Sequence, residues 1–80
     1  MSSPEYNRWY NMHQRCGNPK ADNWKWYGAR GIRGCPEWSS FEQFQLDMGS
    51  PPTPLHQLDR IDSDKDYCKA NCRWVLPHEN

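Results

Sequence analysis

The chain has 80 residues, no net charge at neutral pH and a poor supply of aliphatic side chains, with four Leu, two Ile and one Val. A chain of this length makes one small domain, which buries about 60–65% of its unfolded surface. Bulk for a core must come from five Trp, four Tyr and two Phe. A net charge of zero argues against a protein that holds nucleic acid by overall charge alone.

The sequence carries no signal peptide that we can recognise, because Met1 to Glu5 include neither a basic nor an apolar region. No apolar run approaches the ~20 residues of a membrane helix. We therefore expect a cytosolic protein with no membrane partner, in which thiols stay reduced.

Charge is distributed unevenly along the chain. Residues 15–34 contain a single acid, Asp22, and five basic residues, whereas residues 35–66 contain seven acids and two basic residues. The basic residues of the first segment are Arg15, Lys20, Lys25, Arg30 and Arg33, with Trp24, Trp26 and Tyr27 between them. Basic and aromatic side chains together can contact phosphates and stack on bases. A solvated basic face above core aromatics explains the same pattern equally well.

A first helix is predicted to begin at Ser3-Pro4-Glu5, because Ser suits the N-cap, Pro the first turn and Glu the positive end of the helix dipole. It is predicted to end at Gly17-Asn18-Pro19. Its apolar residues recur at helical spacing and are predicted to form one face: Tyr6, Trp9, Tyr10, His13 and Cys16.

A second helix is predicted from Pro36 or Ser39 to Met48, because Ser39 and Glu42 have the spacing of a capping box and Gly49 is a C-cap signal. Ser50 to Pro54 is a proline-rich connector. Two short strand-like runs follow, residues 58–62 and 71–76, with a polar loop between them.

Six segments in this order carry a family likeness. They are Trp9-x-x-Met12-x-x-Arg15-Cys16, Tyr27-Gly28-Ala29-Arg30-Gly31-Ile32, Cys35-x-x-Trp38-x-x-Phe41-x-x-Phe44, Asp47-Met48-Gly49, Leu58-Asp59-Arg60-Ile61-Asp62 and Asn71-Cys72-Arg73-Trp74. Over nearly its whole length the chain resembles small phage and prophage HNH homing-endonuclease-like proteins. The resemblance implies one α+β domain, residues 1–80, with two helices packed on a C-terminal ββα-metal hairpin. Residues 1–49 would form the scaffold and basic loop, 50–57 the connector and 58–80 the motif.

The resemblance also implies a catalytic site. Asp59 and Asn80 correspond to the ligands of one divalent ion, Mg²⁺ or Mn²⁺, and Asn71 to the residue that orients the loop. Arg60 stands where the family has a general-base His; a guanidinium cannot accept a proton at neutral pH, but it can clamp a phosphate. The alternatives for the base are His56, His78, Tyr67 and a metal-bound hydroxide. Asn80 is the last residue of the sequence and is expected on a short helical stub.

The four cysteines suggest a second metal. Tetrahedral zinc bound by Cys16, Cys35, Cys68 and Cys72 would tie the helices to the second strand. His13 is an alternative to Cys68 as the fourth ligand. Four buried thiols without zinc are the remaining possibility.

Two functions follow as expectations. The first is an HNH-like, metal-dependent DNA endonuclease of phage type that acts in the host cytoplasm. Its phosphate contacts would be Lys25, Arg30, Arg33, Arg60 and Arg73. The second is a catalytically inactive binding protein on the same scaffold, which contacts DNA or inhibits a host protein. The oligomeric state is left open.

Overall fold

A computed structural model of the chain describes residues 3–79, with only the backbone of Glu79. The described elements are helix α1 (Pro4–Gly17), helix α2 (Phe41–Met48), strand β1 (Gln57–Arg60), strand β2 (Cys72–Val75) and short 3-10 turns between and after them. The two strands pair antiparallel. This arrangement confirms the α+β class. Within residues 3–79, neither helix combines the length and the hydropathy of a membrane span.

Helix α1 has the ends that the sequence predicts. The Ser3 hydroxyl accepts a hydrogen bond from the Tyr6 N–H at 3.2 Å, and Pro4 occupies the first turn. The helix closes where the Asn18 N–H donates to the Gln14 carbonyl. The predicted face is only partly right, because the Tyr10 side chain is 50% exposed. The buried face of the helix is centred instead on Met12, which is fully buried.

Helix α2 begins later than the capping box predicted, and the prediction of Ser39 as N-cap is wrong. Residues Pro36–Ser39 form a 3-10 turn, so Ser40 is the residue that precedes the first helical turn. The Ser40 hydroxyl accepts from the Gln43 N–H at 3.3 Å and donates to the Glu42 carboxylate at 3.1 Å. At the other end Gly49 has a φ of 61°, a conformation that favours glycine.

The strand register decides which side chains meet. Leu58 lies opposite Trp74, Asp59 opposite Arg73, and Arg60 opposite Cys72. Side chains alternate between the two faces of a strand, so buried Leu58 faces the core while Asp59 faces the other way. Both strands are shorter than predicted. Ile61 and Asp62 lie outside β1, and Asn71 and Leu76 lie outside β2.

The core is aromatic, as the composition predicts. Trp38 and Phe44 are fully buried and meet edge to face with ring centres 4.8 Å apart. The Trp38 carbonyl accepts from Trp9 Nε1 and His13 Nε2, each at 2.7 Å, and its own Nε1 donates to Asp47. Trp38 therefore holds α1 and α2 together by packing and by hydrogen bonds.

The cap of α2 gives a direct test. Ser40→Ala removes the acceptor for the Gln43 N–H and should lower the free energy of unfolding by about 1 kcal/mol. Ser39→Ala, in the preceding turn, is the matched control and should change it by less than about 0.5 kcal/mol. Urea unfolding followed by circular dichroism measures both. A larger loss in Ser39→Ala than in Ser40→Ala would contradict the assignment of the cap.

Candidate functional site

A polar cleft of about 290 Å³ lies between α1, the segment around Tyr27 and strand β1. Helix α1 contributes Arg8, Asn11 and Arg15, whose spacing puts them on one helical face. Strand β1 and the loop after it contribute Gln57, Leu58, Asp59, Arg60 and Ser63, and the rest of the wall consists of Asn23, Tyr27 and Tyr67.

The cleft carries excess positive charge. Arg8, Arg15 and Arg60 line it, and none of the three forms an ion pair with an acid in the part of the chain that the structure describes. Asp59 is the one carboxylate on the described wall, and Arg73 already neutralises it through an Nε–Oδ2 contact of 3.0 Å. A concave site with one sign of charge concentrates the field and attracts anions.

Arg8 connects the cleft to the proline-rich connector. Its Nε donates to the His56 carbonyl and its Nη2 to the Pro54 carbonyl, each at 3.0 Å. These contacts fix the chain that leads into β1 against helix α1.

Arg15 and Arg60 share a pair of stacked tyrosines. The rings of Tyr27 and Tyr67 have centres 6.2 Å apart. The guanidinium carbon of Arg15 lies 5.0 and 5.1 Å from these centres, and that of Arg60 lies 5.1 Å from each. The cation–π contacts hold both cations at the wall of the cleft.

Tyr67 is the fixed point of this group. Its hydroxyl accepts from Arg15 Nε at 2.9 Å, and only 2% of the residue is exposed. Burial raises the pKa of Tyr67 to about 12, with the nearby Arg15 acting in the opposite direction. The phenol is therefore protonated at neutral pH, which argues against Tyr67 as the replacement base.

Arg60 faces the loop that follows β1. Its Nη1 donates to the carbonyls of Ser63 and Lys65 at 2.6 and 3.0 Å. Buried Asn71 holds the same loop from beneath, because it accepts from the Asp62 N–H and donates to the carbonyls of Asp62 and Asp66. Asn71 therefore ties both ends of this loop together, and its role in a reaction stays a prediction.

The two histidines considered as bases lie elsewhere. His56 Nδ1 accepts from the Thr53 N–H at 3.2 Å and lies 2.8 Å from the Thr53 hydroxyl. His78 is exposed in the 3-10 turn Pro77–Glu79. Neither lines the cleft as the structure describes it. The predicted metal ligand Asn80 lies outside the described residues.

Most of the predicted phosphate contacts have other partners. Arg30 pairs with Asp64 at 3.0 Å, and Arg73 pairs with Asp59. The Arg33 guanidinium points towards backbone carbonyls, and Lys25 lies over the Trp26 ring. Of the predicted set, Arg60 alone lines the described cleft.

Sequence reasoning missed Arg8 and Arg15 as site residues. They are seven positions apart, which is two turns of one helix, and Asn11 lies between them on the same face. A search of the first helix for polar spacing, in place of apolar spacing alone, would have found them.

The four cysteines are all free thiols, and they differ in the groups that surround them. Cys35 and Cys68 both act electrostatically on Cys72, whereas the charges that act on Cys16 are those of arginines and Asp66. Burial raises the pKa of Cys72 to about 12 and also raises the pKa of Cys16 and Cys35. No group of three or more His, Cys, Asp or Glu side chains in residues 3–79 is arranged to hold a metal ion.

Comparisons of the chain with protein-family models, with curated proteins and with solved structures found no match. The resemblance to HNH proteins and the roles that it implies therefore stay predictions.

The raised pKa of Tyr67 predicts a specific alkaline instability. Its value is higher in the folded chain than the ordinary 10.0, so its contribution to stability is complete below about pH 10 and is lost as the pH rises towards 12. Tyr67→Phe cannot ionise and should lose less free energy of unfolding than the wild type over this interval. Urea unfolding at several pH values measures the difference. Identical pH slopes for the two proteins would contradict the assignment.

Proposed function

We propose that the protein is an HNH-like, metal-dependent DNA endonuclease of phage type that acts in the host cytoplasm. The observation that supports the proposal best is the position of Asp59 and Arg60, two consecutive residues at the end of β1, on a cleft with Arg8 and Arg15. A carboxylate among guanidinium groups suits the metal-dependent hydrolysis of a phosphodiester. The guanidinium groups neutralise the phosphate charge, and the carboxylate can bind the metal ion.

The arginines supply the binding part of this function. Guanidinium groups bind phosphate oxygens through paired N–H donors and stay charged at any physiological pH. Phosphate contacts of this kind position a protein on DNA without reading its sequence. The cleft therefore fits the sugar–phosphate backbone better than it fits base edges.

Asp59 supplies the proposed metal ligand. Arg73 holds its Oδ2, while Oδ1 makes no hydrogen bond to any residue from 3 to 79. Mg²⁺ and Mn²⁺ suit such a position, since Mg²⁺ takes one or two carboxylates and completes its shell with water and phosphate oxygens. When bound, the ion would supply charge to polarise the phosphate. Asn80, outside the described residues, is the second ligand that the resemblance implies.

The second candidate function is a catalytically inactive binding protein that acts on DNA or on a host protein. It is favoured by the lack of an evident base: the described wall of the cleft contains no His, Arg60 cannot accept a proton, and the phenol of Tyr67 stays protonated. This candidate keeps the phosphate contacts and loses the hydrolysis.

Asp59→Asn separates the two candidates. It keeps the shape of the side chain but weakens the cation ligand, so Mg²⁺- or Mn²⁺-dependent nicking of a supercoiled plasmid should fall on the order of 10²–10³-fold or more. Glu37→Gln, at an exposed carboxylate away from the cleft, is the matched control and should nick as the wild type does.

Gel electrophoresis of the plasmid with each metal and with EDTA measures the rate, and circular dichroism checks folding. Unchanged nicking by folded Asp59→Asn protein would refute the assignment of Asp59. A wild type that binds DNA but does not nick it with any divalent metal would support the binding-protein candidate.

We also propose structural zinc, bound by Cys35, Cys68 and Cys72 of the four predicted cysteines, with His13 replacing Cys16 and not Cys68. The backbone supports this grouping, because the Cys35 N–H donates to the carbonyl of Tyr67, which directly precedes Cys68. His13 suits the fourth position, since its Nε2 donates to the Trp38 carbonyl and leaves Nδ1 for a metal, an arrangement common among zinc-bound histidines. The side chains would have to rotate to meet one ion.

This proposal predicts stoichiometric zinc in the purified protein by elemental analysis. Cys72→Ser should lose zinc and unfold, since site and fold form together. Cys16→Ser, whose sulfur has charged neighbours other than cysteines, should keep it. Zinc-free wild-type protein with a cooperative thermal transition would exclude the site.

A further inference from the structure

The positions of Arg15 and Arg60 set an upper limit on the distance between them. Both guanidinium carbons lie 5.0–5.1 Å from the two tyrosine ring centres, which are 6.2 Å apart. Each guanidinium carbon is therefore about 4 Å from the point midway between the two ring centres, so the two carbons are at most about 8 Å apart. A guanidinium that binds a phosphate through two N–H···O bonds has its carbon about 4 Å from the phosphorus. One phosphate can bridge the pair.

The two cations repel each other at this distance, and no described acid pairs with either. Arg15 uses Nε to bind the Tyr67 hydroxyl, and neither of its terminal nitrogens has a hydrogen-bond partner among residues 3–79. Those nitrogens are reached by solvent, because no described buried side-chain nitrogen lacks a partner. Arg60 keeps Nε and Nη2 without a described partner as well. An anion between them would remove the repulsion and satisfy these donors.

We propose that Arg15 and Arg60 form a two-guanidinium subsite that binds one phosphate group, and that Arg15 binds it through its pair of terminal nitrogens. The proposal rests on the proposed function only in taking that phosphate as part of a DNA strand. Tyr67 is a positioning residue, since its buried hydroxyl holds Arg15 Nε and its ring supports both cations.

The shape of the cleft favours phosphate over a larger ligand. A volume of about 290 Å³ is just below the range of about 300–1,000 Å³ for organic ligand pockets. It suits a phosphate with part of its sugar. Phosphate has more acceptor oxygens than a carboxylate, so it can accept from both guanidinium groups and from the amides of Asn11 and Asn23, which line the same wall.

The first experiment uses the wild-type protein as purified, without added Mg²⁺ or Mn²⁺. Side-chain Nε–H signals of arginine are followed by NMR during titration with inorganic pyrophosphate and, separately, with a short DNA duplex. We expect saturable shifts of the Arg15 and Arg60 signals in both titrations. Shifts with pyrophosphate alone would assign the site to free phosphates and overturn its place on the DNA path. An Arg15 signal unmoved by either ligand would overturn the subsite.

The second experiment measures the DNA affinity of variants without added Mg²⁺ or Mn²⁺ and without a chelator. Arg15→Gln should weaken binding about ten-fold or more and lower the salt slope by about one. Arg15→Lys should restore the salt slope but not the affinity, because an ammonium has no planar pair of donors. Tyr67→Phe keeps the ring and should give a smaller loss at an unchanged salt slope. Lys69→Gln, which removes an exposed charge outside the cleft, is the control and should bind nearly as the wild type does.

Binding without added Mg²⁺ or Mn²⁺ keeps this test independent of catalysis, and the absence of a chelator leaves any structural zinc in place. Loss of affinity in folded Arg15→Gln protein supports the subsite even when the wild type nicks no DNA. Wild-type affinity and salt slope in Arg15→Gln protein would overturn it even when the wild type nicks well.

Discussion

Trp38 is buried at the centre of the molecule, and its polar atoms join both helices. Its carbonyl accepts from Trp9 and His13 on α1, and its indole N–H donates to Asp47 on α2. A core with so few aliphatic residues must bury aromatic ones, and a buried indole or imidazole N–H needs a partner. The fold therefore depends on aromatic packing and on the hydrogen bonds that this packing makes necessary.

The same constraint extends to the cleft. Tyr67 is part of the core, and its backbone N–H donates to the Arg33 carbonyl while its carbonyl accepts from the Cys35 N–H. Its hydroxyl and ring reach the wall of the cleft, where they hold Arg15 and Arg60. A side chain that belongs to both the core and the site fixes the cations without an acidic partner. The cleft thus keeps a positive charge that an ion pair would otherwise remove.

Local signals in the sequence predicted the parts of the fold that depend on neighbouring residues. Ser3 and Pro4 began α1 and Gly49 ended α2, because caps act within one helical turn. The choice between Ser39 and Ser40 could not be made locally, because the 3-10 turn that decides it is held by Trp38 in the core. Because both residues are serine, the side chain alone does not show at which of the two positions the helix begins.

The site depended on contacts between distant parts of the chain, and for this reason it was only partly predictable. Asp59, Arg60 and Asn71 were named from family likeness, and the structure puts the first two on the cleft. The pairing of Arg73 with Asp59 follows from strand register. The approach of Arg15 to Arg60 follows from their shared contacts with the rings of Tyr27 and Tyr67. Neither is encoded in the spacing of any one segment.

We propose that DNA binds in the arginine cleft. A crystal structure of the protein with a short DNA duplex, grown without added Mg²⁺ or Mn²⁺, shows where the duplex lies. We expect one backbone phosphate with oxygens about 2.7–2.9 Å from guanidinium nitrogens of both Arg15 and Arg60. A duplex bound elsewhere, for example through Lys25 and Arg30, with no phosphate in the cleft would contradict the proposal.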